Sequence, residues 1–544
     1  MRRIGTLVGC GVLLLAGCGE SGSGAEYEVT DAAGTTTAEV AMAPPYLPPD
    51  APYAAPYAPP AVTARYPDAK PNPIRRTAEQ AVSTFSIDVD TASYAVVRRF
   101  LKQGVKPPTD AVRVEELVNY FDYDYPRATA SEVFRPYAAV VPSPWSPGKR
   151  IVHVALTGHD IPDARPPLNL VFLIDVSGSM QGEDRLPLAK RALDVLIDQL
   201  RPEDHVAIAV YAGAAGAVLE PTSGADKSKI RSAIRRLEAG GSTAGAEGLA
   251  LAYDLARENF RKDAVNRVVL MTDGDFNVGV TDEGSLEDFV AEQRKTGVYL
   301  SVYGFGQDNY QDRRMQKISQ AGNGTAGYID SLDEARKVFE DDFKGSVFPI
   351  ADDVKIQVEF NPAKVAEWRL IGYETRLLAR EDFNNDRVDA GEIGAGATVT
   401  ALYEITAPGG PESVDPLRYG ESARPAAVRQ GGEELAYLRY RYKRPGGESS
   451  VERAFAITEA RARESLEDAP EPTRWALAVA GYGQLLRGDS ALGRGFGWED
   501  VRTLAHGARG DDPHGRRAEF IRLVRAAAGM EPVRAGREDA AARG

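Results

Sequence analysis

Asp175, Ser177 and Ser179 occupy alternate positions, D-x-S-x-S, at the end of the apolar run Leu168-Asn169-Leu170-Val171-Phe172-Leu173-Ile174. One carboxylate and two hydroxyls at this spacing form a cluster of hard oxygen donors, which is what a divalent cation seeks. Hydroxyl ligands add no charge, so an ion held by them stays electrophilic. Two more oxygen-bearing residues fall in comparable places. Thr243 lies in the glycine-rich stretch Gly240-Gly241-Ser242-Thr243-Ala244-Gly245, ahead of a helical pattern. Asp273 lies in Met271-Thr272-Asp273-Gly274, directly after a second apolar run. Other chemistries find no support in the spacing. His153, His159, His205, His506 and His514 are scattered and build no H-E-x-x-H zinc pattern. Ser177 and Ser179 lie in no G-x-S-x-G elbow, and Gly240-Gly241 lacks the lysine of a phosphate-binding loop. No catalytic constellation emerges, so the expectation is that the protein is not an enzyme.

These residues need a scaffold that gathers them, and the pattern from 168 to about 343 supplies one. Strand-like runs at Leu168–Ile174, Val206–Tyr211, Val268–Met271, Val298–Tyr303 and Gly327–Ile329 alternate with helical spacing at Leu186–Leu200, Lys227–Leu237, Ala244–Phe260, Arg313–Ser319 and Leu332–Phe343. Ser285, with Asp288 three residues on, reads as a helix N-cap. Such alternation predicts a parallel-dominated, doubly wound (Rossmann-like) α/β sheet with helices on both faces. Ligands of such sheets bind at the carboxyl ends of the strands, where Asp175 and Asp273 stand.

The flanks read differently. Helical spacing at Thr91–Leu101 and Ala111–Tyr120 precedes strand-like stretches at Tyr137–Val141 and Arg150–Leu156, an N-terminal α+β segment. Asp88-Val89-Asp90 suggests either a second cation site or a helix cap, and the cap at Asp90 or Thr91 is the simpler expectation. Strands at Val354–Phe360, Trp368–Tyr373, Thr398–Ile405, Leu435–Tyr442 and Val451–Ile457, then helices at 473–487 and 516–528, predict a β-rich, sandwich-like C-terminal domain with antiparallel pairing and terminal helices. Asp382, Asn384, Asp386 and Asp389 resemble half of an EF-hand-like calcium loop. Arg387 stands where such a loop needs glycine and Ile393 where it needs glutamate. An acidic turn between strands explains the same residues.

A net charge of −14 argues against a nucleic-acid binder. The N-terminus has the form of a signal peptide: Arg2 and Arg3, a short apolar run from Gly5 to Leu15, then Leu15-Ala16-Gly17-Cys18. That ending resembles a bacterial lipobox, in which cleavage leaves Cys18 at the new N-terminus to carry lipid. Gly19 instead of Asp favours the outer membrane, facing the periplasm, if the host is Gram-negative. Removing residues 1–17 leaves Cys18 as the one cysteine, since Cys10 is the only other. Residues 18–75 are rich in Ala, Pro and Tyr and predict an extended tether.

With these elements in place, Asp175-x-Ser177-x-Ser179, Thr243 and Asp273 resemble the five-residue metal-ion-dependent adhesion site of the von Willebrand factor type A (vWA) domain. The flanking motifs Phe85-Ser86-Ile87-Asp88-Val89-Asp90, Arg113-Val114-Glu115-Glu116 and Tyr373-Glu374-Thr375-Arg376 resemble the N- and C-terminal domains of a family of bacterial vWA lipoproteins. The resemblance implies that Ser177 and Ser179 ligate Mg²⁺ (or Mn²⁺ or Ca²⁺), joined by Thr243 in the ligand-binding state, with Asp175 and Asp273 holding coordinating waters or Asp273 binding directly when no ligand is present. It also implies that the open coordination position takes an Asp or Glu carboxylate from a protein partner. The expected division is a signal peptide at 1–17, a tether at 18–75, an N-terminal flanking domain at 76–164, a vWA domain at 165–345, a C-terminal domain at 346–530 and a tail at 531–544. Strands on either side of the vWA domain are expected to close one sandwich, with that domain inserted between them. The function expected is partner binding at the cell envelope. A structural scaffold with a silent metal site, or an accessory to an envelope enzyme, are the alternatives.

Overall fold

The computed structural model describes residues 66, 70–87, 89–129, 131–161, 165–242, 245–274, 283–306, 311–388, 390–415, 432–493 and 495–530. The signal peptide, Cys18, nearly all of the tether, Asp88, Thr243, Asp389 and the tail lie outside the described residues.

In chain order, the N-terminal flank comprises strands β1 (Arg75–Arg76) and β2 (Val82–Ser86), helices α1 (Ala92–Lys102) and α2 (Val114–Asn119), and strands β3 (Phe134–Pro142) and β4 (Arg150–Gly158). The alternating series follows as β5 (Leu168–Asp175), α3 (Leu186–Asp198), β6 (His205–Tyr211), β7 (Ala215–Ser223), α4 (Lys227–Arg235), α5 (Gly245–Glu258), β8 (Val265–Thr272), α6 (Glu283–Arg294), β9 (Val298–Gly304), α7 (Asp312–Ala321), β10 (Ala326–Tyr328), α8 (Leu332–Arg336) and α9 (Phe343–Val347). Beyond it come β11 (Pro349–Phe360), β12 (Glu367–Ile371), β13 (Gly391–Gly394), β14 (Thr398–Thr406), β15 (Glu434–Lys443), β16 (Ser450–Thr458), α10 (Glu471–Arg487), α11 (Trp498–Gly507) and α12 (Arg516–Met530).

The α/β series forms a six-stranded sheet in the order β10-β9-β8-β5-β6-β7. Every pairing is parallel except β6 with β7. All eight residues of β5 are buried, which is why the run reads as continuously apolar and not alternating. Its side chains point alternately to two helical layers. Leu170, Phe172 and Ile174 pack with Leu193 and Ile197 of α3 and Ile230 of α4. Val171 and Leu173 pack with Leu249 and Tyr253 of α5, Val290 of α6 and Ile318 of α7. The doubly wound expectation is thus met, with local differences. Strand β7 carries Gly216 and Pro221, which erase a period-two pattern; it survives as an antiparallel edge strand, where a missing N–H is tolerated. Helix α6 starts at Glu283, so Ser285 sits inside its first turn and is not the cap. The helix expected over 332–343 is broken by a π turn at Lys337–Asp341. Helix α11 had no counterpart among the expected elements.

Strands from the two flanks share a sheet. β14 pairs β4 antiparallel from Thr398↔Thr157 to Ile405↔Arg150, within the order β1-β12-β14-β4-β3. A second sheet, β13-β11-β15-β16 with β2 on β11, faces it. Val140, Val152, Val154 and Tyr403 of the first sheet share a core with Ile356, Val358, Leu438 and Tyr440 of the second. The outer face of the first sheet, including Val141, Ile151 and Leu402, is covered by Leu117 of α2, Trp475 of α10, Val501 of α11 and Phe520 of α12. One sandwich is therefore built from both sides of the α/β domain, which leaves it after β4 and returns at β11.

Helix α1 is the wedge between the modules. Ala92, Ala95 and Val96 join the α/β core, while Tyr94, Val97 and Leu101 join the helical layer over the sandwich. Asp90 does not cap it. Its carboxylate accepts from the Ala326 N–H at 2.9 Å and from Arg376 at 3.2 Å, and Thr91 at the N-cap position makes no side-chain capping bond. The carboxylate thus ties β10 to the C-terminal flank; the helix opens at Thr91, as expected, but without a side-chain capping bond.

Candidate metal centre

Three adjacent parallel strands deliver the candidate site to their carboxyl ends. Asp175, the last residue of β5, is fully buried. Its Oδ1 accepts the Ser177 backbone N–H at 2.9 Å, which pins the loop that follows. Its Oδ2 accepts from the Tyr211 hydroxyl at 2.9 Å and the Thr272 hydroxyl at 3.2 Å. Tyr211 ends β6 in register with Asp175, and Thr272 ends β8. At Gly248 of α5 a Cβ would come within 2.8 Å of the Tyr211 side chain, so glycine there lets the helix close over the phenol. Burial, helped by the negative charge of Asp273, pushes the Asp175 carboxyl above the usual range, against the pull of the Ser177 and Tyr211 hydrogen bonds. The Tyr211 phenol is pushed far up by its own burial and by Asp175.

The two serine hydroxyls stand 3.0 Å apart. The glycine-rich turn docks on the same loop: Gly178 N–H donates to Gly241 O at 3.0 Å, and Gly240 N–H to Val176 O at 2.8 Å. Gly241 adopts φ +88°, which favours a residue without a side chain. Thr243 itself lies outside the described residues, two positions beyond that contact. Asp273, the residue after the end of β8, is buried. Arg185, just before α3, lies with its Nη1 3.6 Å from Asp273 Oδ2 and donates the same group to Ser179 O.

The donor set fits a hard divalent cation. Neighbouring corners of an octahedron with metal–oxygen bonds of 2.0–2.1 Å lie about 2.9 Å apart, close to the separation of the two serine oxygens. Two hydroxyls beside the carboxylates of Asp175 and Asp273 are the hard oxygen donors that Mg²⁺ or Mn²⁺ prefers.

Residues 169–341 match the von Willebrand factor type A domain family, residues 60–153 a family described as von Willebrand factor, and residues 345–530 the YfbK C-terminal family. "Uncharacterized protein YfbK" of Escherichia coli K12 is 44% identical over 479 residues, covering 87% of this chain and 82% of that protein. This chain belongs to the YfbK family. YfbK thus shares the flanks as well as the vWA domain. The Synechocystis protein sll0103 is 34% identical over 182 residues, 34% of this chain and 42% of its own length. A solved von Willebrand factor type A protein from Catenulispora acidiphila is 18% identical, with a TM-score of 0.41 over 72% of this chain and 89% of its own.

The described residues of the calcium-loop reading have protein partners or face solvent. Asp386 is committed to Arg441, at 2.9 and 3.0 Å, and to the Ser450 hydroxyl at 2.6 Å. Asp382 accepts the Ala379 N–H at 3.2 Å, and Asn384 is exposed. Asp389 lies outside the described residues. Among the described residues no three His, Cys, Asp or Glu side chains gather to hold an ion. An arginine already supplies the positive charge that calcium would bring.

Sequence reasoning overlooked Arg185, Tyr211 and Thr272. Two signals were available: Tyr211 closes the strand next to Asp175, and Thr272 immediately precedes Asp273. For Arg185, placement depends on the fold of the loop.

Proposed function

We propose that this protein binds a protein partner at the cell envelope by holding a divalent ion, Mg²⁺ in the first instance and Mn²⁺ or Ca²⁺ as alternatives, that takes an Asp or Glu carboxylate from the partner. The observation that carries the reading is the paired Ser177 and Ser179 hydroxyls, 3.0 Å apart, on a loop fixed by buried Asp175. Thr243 completes the ligand set, with Asp175 and Asp273 orienting waters. The bound ion supplies Lewis acidity toward a carboxylate; the chain supplies a rigid cradle whose direct ligands are neutral hydroxyls. The reading includes no catalytic step.

Cys18, lipidated after removal of residues 1–17, tethers the protein to a membrane, the outer membrane in a Gram-negative host. The basic start, short apolar run and Leu-Ala-Gly-Cys ending support this part. Radiolabelled palmitate should enter the wild type and not Cys18→Ala.

The test of the adhesion reading is a pull-down from envelope extract in Mg²⁺. Wild type should retain a partner that EDTA, Asp175→Ala and Ser177→Ala each release. A partner retained through all three treatments sinks the metal contact and leaves a scaffold with a silent site.

A further inference from the structure

Arg185 is oddly placed. It immediately precedes α3, where the helix dipole disfavours a cation. Its guanidinium nevertheless turns back to the candidate site, with Nη1 3.6 Å from Asp273 Oδ2 and bonded to Ser179 O. The side chain is 15% exposed and Asp273 1%, so the contact is mostly shielded from solvent. Its groove is built. Gly306 has φ +78°, and a Cβ there would fall 2.5 Å from Arg185 Nε and 2.8 Å from its Cγ. Gly306 N–H donates to Asp184 O at 3.1 Å, which holds the two loops together. Its carbonyl accepts from the Tyr328 hydroxyl at 2.7 Å and from Arg99 at 3.4 Å. Arg99 belongs to α1, so the flank braces the loop against which Arg185 lies.

We infer that Arg185 is the resident counter-charge of the metal site: its guanidinium neutralises Asp273 when no ion is bound, and a divalent ion enters only by displacing or repelling it. The inference rests on the metal-site reading and adds its regulation. Asp273 pairs with one cation at a time at full strength. A guanidinium at this range opposes a doubly charged ion through a low-dielectric gap, where like charges repel strongly. Ion affinity is therefore set below what the oxygen donors alone provide. The site stays quiet at low divalent concentration without collapsing, because Asp273 is never left as a bare buried carboxylate.

The test uses the full chain with Mn²⁺ alone, free Mn²⁺ being counted by electron paramagnetic resonance. Arg185→Gln removes the charge and keeps a donor for Ser179 O; it should bind Mn²⁺ at least tenfold more tightly than wild type. Arg185→Lys should stay within about threefold of wild type. Unchanged or weaker binding by Arg185→Gln, with Ser177→Ala abolishing binding in both backgrounds, overturns the inference and leaves the metal site standing. Absence of Mn²⁺ binding in folded wild type and Arg185→Gln alike overturns both. A measurement on wild type needs no substitution: Mn²⁺ should speed phenylglyoxal modification of Arg185, read by peptide mass spectrometry. No change in that rate at saturating Mn²⁺ also overturns the inference.

Discussion

Two regions of this molecule bury carboxylates, and they treat them differently. At the seam where α1 and α2 meet the vWA domain, the buried acids Glu116, Asp312, Asp330 and Glu334 each have an arginine. Arg113 pairs with Asp312 and Glu116, and Glu116 also accepts from Gln316 at 2.8 Å and from the Ser93 N–H at 2.8 Å. Arg98 binds Asp330, Glu334 at 2.7 Å and Glu519 at 3.2 Å. At the rim, Asp175 is held instead by neutral donors, the Ser177 N–H and the Tyr211 and Thr272 hydroxyls. Hydrogen bonds fix its geometry without cancelling its charge. A seam that balances its own charges has no need of an ion, whereas a rim that holds Asp175 with neutral donors and answers Asp273 only at 3.6 Å, through Arg185, invites one. Family membership alone would not separate the two regions; the identity of the hydrogen-bond donors does.

The seam should therefore be the costlier place to cut. Arg113→Ala leaves Asp312 and Glu116 buried without their guanidinium and should lower folding stability by about 3–5 kcal/mol, measured by urea denaturation in the absence of divalent ions. A loss within the range of ordinary surface substitutions would erase the contrast from the seam side. The rim should respond to ions and less to truncation. Mg²⁺ at a hundred times its dissociation constant should stabilise wild type by about 2.7 kcal/mol. Ser177→Ala should abolish that increment while melting close to the ion-free wild type. The backbone N–H of residue 177, which Asp175 uses, survives the substitution. Equal Mg²⁺ stabilisation of both proteins would show that the ion sits elsewhere.

His153 sharpens the contrast, because it is a buried titratable group in the sandwich with no acid beside it. Its ring lies between the Tyr125 hydroxyl at 2.8 Å and the Thr473 hydroxyl at 3.0 Å. Burial pushes its pKa from the ordinary 6.5 down to about 3. The unfolded chain takes up a proton below pH 6.5 that the folded protein refuses until about pH 3. The stability this group supports is thus complete above pH 6.5 and drains away as pH falls, by up to about 1.4 kcal/mol per pH unit. Denaturation midpoints of wild type and His153→Gln, compared from pH 7 to pH 5, should converge on acidification. Parallel curves would mean that the imidazole is charged in the fold.

Much of this was legible in the residues. β5 announced itself because a strand covered on both faces must be apolar throughout. D-x-S-x-S and the Thr272-Asp273 step could be placed because strand ends in a doubly wound sheet converge. The sandwich was anticipated because insertion of a domain with neighbouring ends is easy, and the β4–β14 pairing bears it out. The failures at Asp90 and Arg185 share a cause: each depends on a partner distant in sequence. Asp90 looked like a cap because a cap is local, while its real partners, Ala326 and Arg376, lie more than two hundred residues away. Edge strand β7 was missed for a local reason, because Gly216 and Pro221 erase its alternation. Arg185 carries no signal of its own, because what places it is the empty Cα of Gly306.

Asp386 gives the smallest and most discriminating prediction. In sequence it belongs with the rim, an acidic residue in a loop spaced for an ion; in space it belongs with the seam, because Arg441 answers it. It differs from both in exposure, at 41% for Asp386 and 19% for Arg441. Water screens such a pair, so the neutralising partner that decides several kcal/mol in the interior decides little here. Asp386→Ala should cost no more than about 1 kcal/mol, and Ca²⁺ should shift the melting temperature of neither form through this loop. A Ca²⁺-dependent rise present in Ser177→Ala and lost in the Ser177→Ala/Asp386→Ala double variant would place an ion where Arg441 now stands. It would also put Asp386 beside Asp273, as a carboxylate whose arginine yields to an ion.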